Sequence, residues 1–296
     1  MRRVAAGAAC LAVLAFGPPT VSAALAQASA YVPPRTADGR PALGGDWTHD
    51  GDPPIERPDD VAPAPDGPKP YLVADPPDGK LPLRDRAAAM AWRDKYAVYM
   101  SGAPEPDFTL GVDTLPNRDR CLMAANAAAP PMTSQGYNDE YQIVETAGFI
   151  AISVEMMHET RIIPVFRNRG EAVKAHGPQV LQRWTGDSVG WWEGDTFVVE
   201  TVNINVRQGA QSAMPMSKDV TIVERFTRTS EKELLYRAEV TDPAIYTRPW
   251  TLEARFKPGR RSFEYACHEG NYGLVGILEG VRKTERDAAA KRGRKP

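Results

Sequence analysis

Glu155, His158, His268 and Glu269 are the residues whose types could move a proton at neutral pH. An imidazole titrates in that range, and a nearby carboxylate fixes its tautomer. Neighbours on a strand point to opposite faces, so His268 and Glu269 can share a cavity only if the strand ends between them, and Gly270-Asn271 supplies such an ending. Arg161, Asn271 and Tyr272 stand close enough in sequence to bind a substrate beside this group. The competing reading of His158 is a hydrogen-bonded histidine in the core of a β-protein.

Three other constellations compete with it. His158, His268 and a carboxylate could form a two-histidine metal site, but no pair sits at a ligand spacing such as H-E-x-x-H, so no metal is expected. Gly186-Asp187-Ser188-Val189-Gly190 fits G-x-S-x-G, and Asp242 and His268 follow in the order of a hydrolase triad. That motif needs a strand before the serine and a helix after it; here two tryptophans and a turn follow, so the match reads as chance. Trp184, Trp191, Trp192, Tyr246 and Trp250 could wall an apolar or sugar-stacking pocket, the alternative being packing between strands. Arg225, Arg237 and Arg248 lie among Glu224, Glu239 and Asp242, and cross-strand ion pairs account for them.

The elements that would position these groups are mostly strands. The stretch 182–204 reads as a β-hairpin turning at Glu193-Gly194-Asp195. Strands are predicted at 141–145, 149–163, 220–227, 233–241, 251–257 and 262–268. In the second of these, Ile150, Ile152, Val154, Met156, His158 and Ile162 would share the more apolar face. Leu234, Tyr236, Ala238 and Val240 alternate with Leu235, Arg237, Glu239 and Thr241. Residues 167–182 break the pattern and have room for one helical turn. About eight strands in near-neighbour order, with no helical crossover, predict a mainly β fold: a single antiparallel meander barrel, lipocalin-like.

Helices are predicted at 83–100, with Ala89, Trp92, Tyr96 and Met100 on one face, and at about 275–290. Residues 27–83 are rich in Pro, Asp and Gly and cannot form elements of their own; they read as an extended arm anchored by Trp47, Tyr71 and Leu72. Residues 84–296 then form the barrel domain with its flanking helices.

Residues 1–26 read as a secretory leader, with Arg2 and Arg3, an uncharged apolar run and small residues before a cleavage point. The run is too short to span a bilayer, and no later segment is apolar enough. A periplasmic or secreted protein is expected. Cys10 leaves with the leader, and in an oxidising compartment the remaining Cys121 and Cys267 favour one disulfide over two buried thiols. The leader holds two of the 36 basic residues and none of the 38 acidic ones, leaving a formal charge of −4 on the rest. That charge excludes a nucleic-acid binder, and the basic run 283–295 reads as a solvated helix end. With no phosphate-cradling glycine loop and no C-x-x-C-H, no nucleotide, flavin or haem is expected.

Several blocks carry a resemblance together: RTADGRPALGGDWT (35–48), YNDEYQIVET (137–146), EMMHETRIIP (155–164), GDSVGWWEGDTFVVET (186–201) and EYACHEGNYGL (264–274). They resemble a family of secreted bacterial β-rich proteins of largely unassigned function, with a GDS-x-G-x-WEGDT hairpin and a terminal CHEGN motif. The resemblance implies an exported β-rich body and supplies no chemistry. The chain departs from the pattern after Pro164, where Val165-Phe166-Arg167 stands in place of an Asp-Gly-Arg turn.

The leading functional expectation is a cofactor-free exported enzyme using His and Glu for elimination, isomerisation or hydrolysis of a small organic molecule, aromatic, terpenoid or sugar-like. One alternative is a non-catalytic periplasmic binding protein for an apolar or aromatic ligand. Others are a metal-dependent hydrolase or lyase, and an interaction protein whose Pro-rich arm docks a partner.

Overall fold

The computed structural model describes residues 31–64, 67–89, 117–124, 126–205, 208 and 214–293. The expected leader lies outside them, as does the helix predicted at 83–100 beyond residue 89; its start is present, with Asp85 Oδ1 accepting from the Ala88 N–H at 2.9 Å. Residues 32–296 cluster as one compact unit.

Ten strands form one sheet: β1 (Gly45–His49), β2 (Val73–Asp75), β3 (Glu140–Glu145), β4 (Phe149–Val154), β5 (Thr160–Phe166), β6 (Asp187–Glu193), β7 (Thr196–Val202), β8 (Thr221–Ser230), β9 (Glu233–Thr241) and β10 (Trp250–Pro258). From β3 to β10 each strand neighbours the next, and β1 pairs with both β3 and β10, closing a nine-stranded barrel; β2 adds to β10 outside the closure. The barrel expectation holds, with one difference in direction. β5 and β6 run parallel, Val165 against Gly190 and Phe166 against Trp191. A parallel pair needs a crossover, and residues 167–186 supply it with a short helix, α1 (Arg169–Ala172), that runs on into a 3-10 turn at Val173–Ala175. Ala172 packs with Val189, Trp191 and Val198 as a small cluster on the outside of the barrel, and His176 docks between Asp187 (3.4 Å) and Glu200 (3.6 Å).

The arm contributes more than anchors. The expectation that it forms no element is corrected: it supplies β1 and β2, whose ladders come from β3 and β10. Trp47, Tyr71 and Leu72 are all buried. Gly259 lets β10 and β1 close: a Cβ there would lie 2.7 Å from the Trp47 carbonyl carbon. In the β6–β7 hairpin, Gly190 leaves room for Phe197, whose ring would meet a Cβ at 2.4 Å.

Two predicted strands are corrected. The long strand 149–163 is β4, a tight turn and β5, because Met157 and His158 take φ of 58° and 56°, and the Val154 N–H donates to Glu159 O at 2.9 Å. The predicted strand 262–268 is irregular: Glu140 and Glu155 accept the N–H groups of Arg260 (3.0 Å) and Phe263 (2.8 Å), so side chains replace a strand partner. The C-terminal helix is α2 (Tyr272–Gly293).

The lumen is filled. Ala124, Ala127, Ala128 and Met132 are buried at 1% exposure or less within the main core. Ala127 O accepts from Tyr141 of β3 (2.9 Å), Ala128 O from Arg161 of β5 (3.1 Å), and the Met132 N–H donates to Tyr236 of β9 (2.8 Å). Inward side chains from three strands around the barrel therefore hold this segment inside it. Small alanines suit the position, since only a slim chain fits between the walls. Cys121 and Cys267 are joined, with Cα atoms 5.6 Å apart. Among the described residues no helix is long and apolar enough to cross a membrane.

Candidate functional site

Glu155 follows β4 directly and is 1% exposed. Its Oε2 accepts from Arg260 (2.8 Å) and the Phe263 N–H (2.8 Å), and its Oε1 accepts from Arg260 (2.9 Å) and Asn138 (2.6 Å). Arg260's hydrogen bonds, with those from Phe263 and Asn138, hold the carboxyl down at about 2 despite its burial. The group is an ionised clamp that ties the chain after β10 to the β4–β5 turn.

His158 lies in that turn and is exposed, which corrects its placement on an apolar strand face. His268, Glu269 and Tyr272 are exposed too, and Asn271 donates to Asp119 O (3.0 Å) and Cys121 Sγ (3.3 Å). Glu155, His158, His268 and Glu269 line none of four cavities, of about 950, 310, 420 and 250 Å³, among the described residues. Asn271 and Cys267 line the third of these. Among the described residues no three His, Cys, Asp or Glu side chains gather as they would around a metal ion.

Arg161 faces inward and is 3% exposed. It forms a two-pronged pair with buried Glu224 (3.2 and 2.6 Å), and Tyr236 donates to the same carboxylate at 2.9 Å. This is a core network, closed to a substrate. Tyr246 and Trp250 are likewise buried in the core, stacked edge to face at 5.6 Å. Trp191 belongs to the outer cluster, its Nε1 donating to Glu193 at 2.8 Å, and Trp192 lines the 250 Å³ cleft. Ser188 stands within β6, bonded to Thr201 at 2.8 Å, and Asp242 is taken up by Ser217, so no triad forms.

A cavity of about 950 Å³ lies at a seam in the barrel wall. β1 pairs with β10 from Phe256 to Pro258 and β2 pairs with it at Thr251 and Leu252; the Asp50 N–H donates to Arg255 O (2.7 Å) and the Glu253 N–H to Leu72 O (2.9 Å), so the partner of β10 changes over at Ala254. There the chain leaves β1 as Asp50–Ile55 and returns towards β2 as Gly67–Leu72, framing a mouth. Tyr71, Leu72, Ile55, Met214 and Ala254 give it an apolar wall; Lys69, Arg118, Arg237, Arg255, Asp50, Asp52 and Glu253 give it charge.

His49 lines this cavity and is 8% exposed. Its ring lies 4.3 Å from that of Phe256 and 3.3 Å from the Tyr141 hydroxyl through Nε2. Because Tyr141 gives its proton to Ala127 O, its oxygen must accept from His49, which assigns the proton to Nε2 and leaves Nδ1 as an acceptor. Burial pushes the imidazole down to about 3, so it is neutral at every physiological pH.

Sequence reasoning missed His49. Its signal is the alternation Gly45, Trp47, His49 inside an arm that prolines otherwise dominate. Arg118, from the segment before Cys121, carries no such mark.

No family model matches the chain, and no curated protein or solved structure matches it.

Proposed function

We propose that the protein is an exported, non-catalytic binding protein for a small organic molecule held in the seam cavity. The observation that carries this reading is the cavity itself: about 950 Å³, lying where the partner of β10 changes from β1 to β2, with an apolar wall and a few fixed polar groups. The leader and the Cys121–Cys267 bridge support export.

Acid–base catalysis is less well supported. Both oxygens of Glu155 are committed, and the histidine in the cavity is too weak a base to hold a proton at pH 7. His49 is suited to accept a hydrogen bond from a ligand and to orient it.

The test uses N-phenyl-1-naphthylamine, a neutral aromatic probe whose fluorescence rises on leaving water. The protein should bind one equivalent, and Ala254→Phe, which fills the cavity from β10, should abolish binding while leaving the circular-dichroism spectrum unchanged. Binding that survives the substitution would place the ligand elsewhere, and no binding to the wild type would remove the reading.

A further inference from the structure

We infer that the ligand of the seam cavity is an organic anion, an aromatic or branched aliphatic carboxylate, whose charged end is received by Arg118. This inference rests on the binding reading above and narrows it.

The four cations lining the cavity are not equivalent. Arg237 is paired with Glu253 (2.7 Å), and Arg255 with Glu233 (2.7 Å) and Glu253 (3.2 Å). Lys69 donates to Ala74 O (2.9 Å) and lies 5.9 Å from the centre of the Tyr71 ring. Arg118 is half-buried and, among the described residues, meets no carboxylate within ion-pair distance; one of its amino groups donates to Gln135 Oε1 at 3.1 Å. A guanidinium has five N–H donors in a fork that matches a carboxylate, so most of its capacity is unused.

Its position is fixed by a second layer of bonds. Gln135 Nε2 donates to Thr133 O and Ser134 O, both at 3.2 Å, which turns the amide oxygen towards Arg118. Asp139 in turn accepts from the N–H groups of Gln135 (2.8 Å) and Gly136 (3.1 Å) and from Ser134 Oγ (2.6 Å), holding the loop that carries the amide. A guanidinium held in place loses little freedom when an anion arrives.

Arg118 also lines the 420 Å³ cavity beside the disulfide, but Asp119 and Glu264 stand there. On the seam side Asp50 is paired with Lys257 (3.0 Å) and Glu253 with two arginines, leaving the exposed Asp52 as the carboxylate without an ion pair. The seam also provides the apolar wall of Tyr71, Leu72, Ile55 and Met214 for the ligand's body.

The experiment is calorimetric titration of the purified protein with 1-naphthoate and with its neutral counterpart 1-naphthalenemethanol. The carboxylate should bind about tenfold tighter, the usual effect of one charge-assisted pair. Added salt should erode that preference and leave the alcohol unaffected. Arg118→Gln should weaken naphthoate about tenfold more than it weakens the alcohol, closing the difference between them, whereas Arg118→Lys should keep part of the preference. Equal affinities in the wild type, or a preference that survives Arg118→Gln, overturn the anion while the cavity reading stands. Absence of binding by both compounds and by N-phenyl-1-naphthylamine overturns both.

Discussion

Glu155 and Arg260, 105 residues apart in sequence, form a two-pronged ion pair at 2.8 and 2.9 Å across one end of the barrel. The carboxylate is nearly sealed and the guanidinium half-exposed, with side-chain exposures of 2% and 45%. The pair carries the chain off β10 and back over the β4–β5 turn. A residue whose type suggests catalysis is therefore occupied in fixing the course of residues 260–263.

Glu155→Gln should cost about 2 kcal/mol of unfolding free energy at pH 7, because the buried acceptors lose their charge while their donors remain. The native carboxyl is held below its unfolded value of 4.5, at about 2. Its contribution is thus full above pH 4.5 and lost as pH falls from there towards 2. Urea titrations between pH 2.5 and 7 should show the gap between variant and wild type closing at the acid end.

Glu159 behaves in the opposite sense. Burial raises its carboxyl to about 7, against a smaller opposing pull from Arg161, and its Oε2 is buried without a hydrogen-bond partner. Stability from this group is full below pH 4.5 and is lost as pH rises through 7. Glu159→Gln should therefore match the wild type at pH 4 and exceed it by about 1–3 kcal/mol at pH 8, since a tenfold change in a proton's affinity is worth about 1.4 kcal/mol. Thermal unfolding at the two pH values measures it.

His49 is depressed from 6.5 to about 3 by burial alone. Folding must keep it neutral, so its contribution is present above pH 6.5 and falls by about 1.4 kcal/mol for each pH unit between 6.5 and 3. His49→Phe should remove that slope from the stability profile. Affinity for a ligand in the seam should stay flat in the wild type from pH 5 to 8 as far as His49 is concerned, which titration calorimetry can follow.

Glu224→Gln should be among the most damaging single changes, at about 3–5 kcal/mol, because it leaves Arg161 charged in the core. Tyr236→Phe should cost less, about 1–2 kcal/mol, by removing one donor to Glu224 and one acceptor for the Met132 N–H. Denaturant midpoints rank the two.

The strands that the sequence made legible are those whose alternation is uninterrupted and bounded by turn residues. Leu234, Tyr236, Ala238 and Val240 point inward in β9 as their spacing requires, and Gly194 turns the β6–β7 hairpin. The β4–β5 turn was hidden because Met157 and His158, neither a turn residue, take left-handed backbone there, held by the Val154–Glu159 and His158–Glu155 bonds. Contacts distant in sequence add to them, the Glu155 and Met156 N–H groups donating to Glu140 O (2.8 Å) and Asn138 O (3.0 Å). The filled lumen was hidden for a related reason: residues 126–132 have no periodicity, and their place is set by Tyr141, Arg161 and Tyr236. The site was the least legible part, because the cavity lies where β10 changes partner from β1 to β2, two strands that pair only with distant partners.

The Cys121–Cys267 bond closes a covalent ring spanning 146 positions, and every strand from β3 to β10 lies inside that ring. β1 and β2 lie outside it. The two jambs of the cavity mouth are thus the part of the wall that this crosslink does not enclose, held by their ladders to β3 and β10 alone.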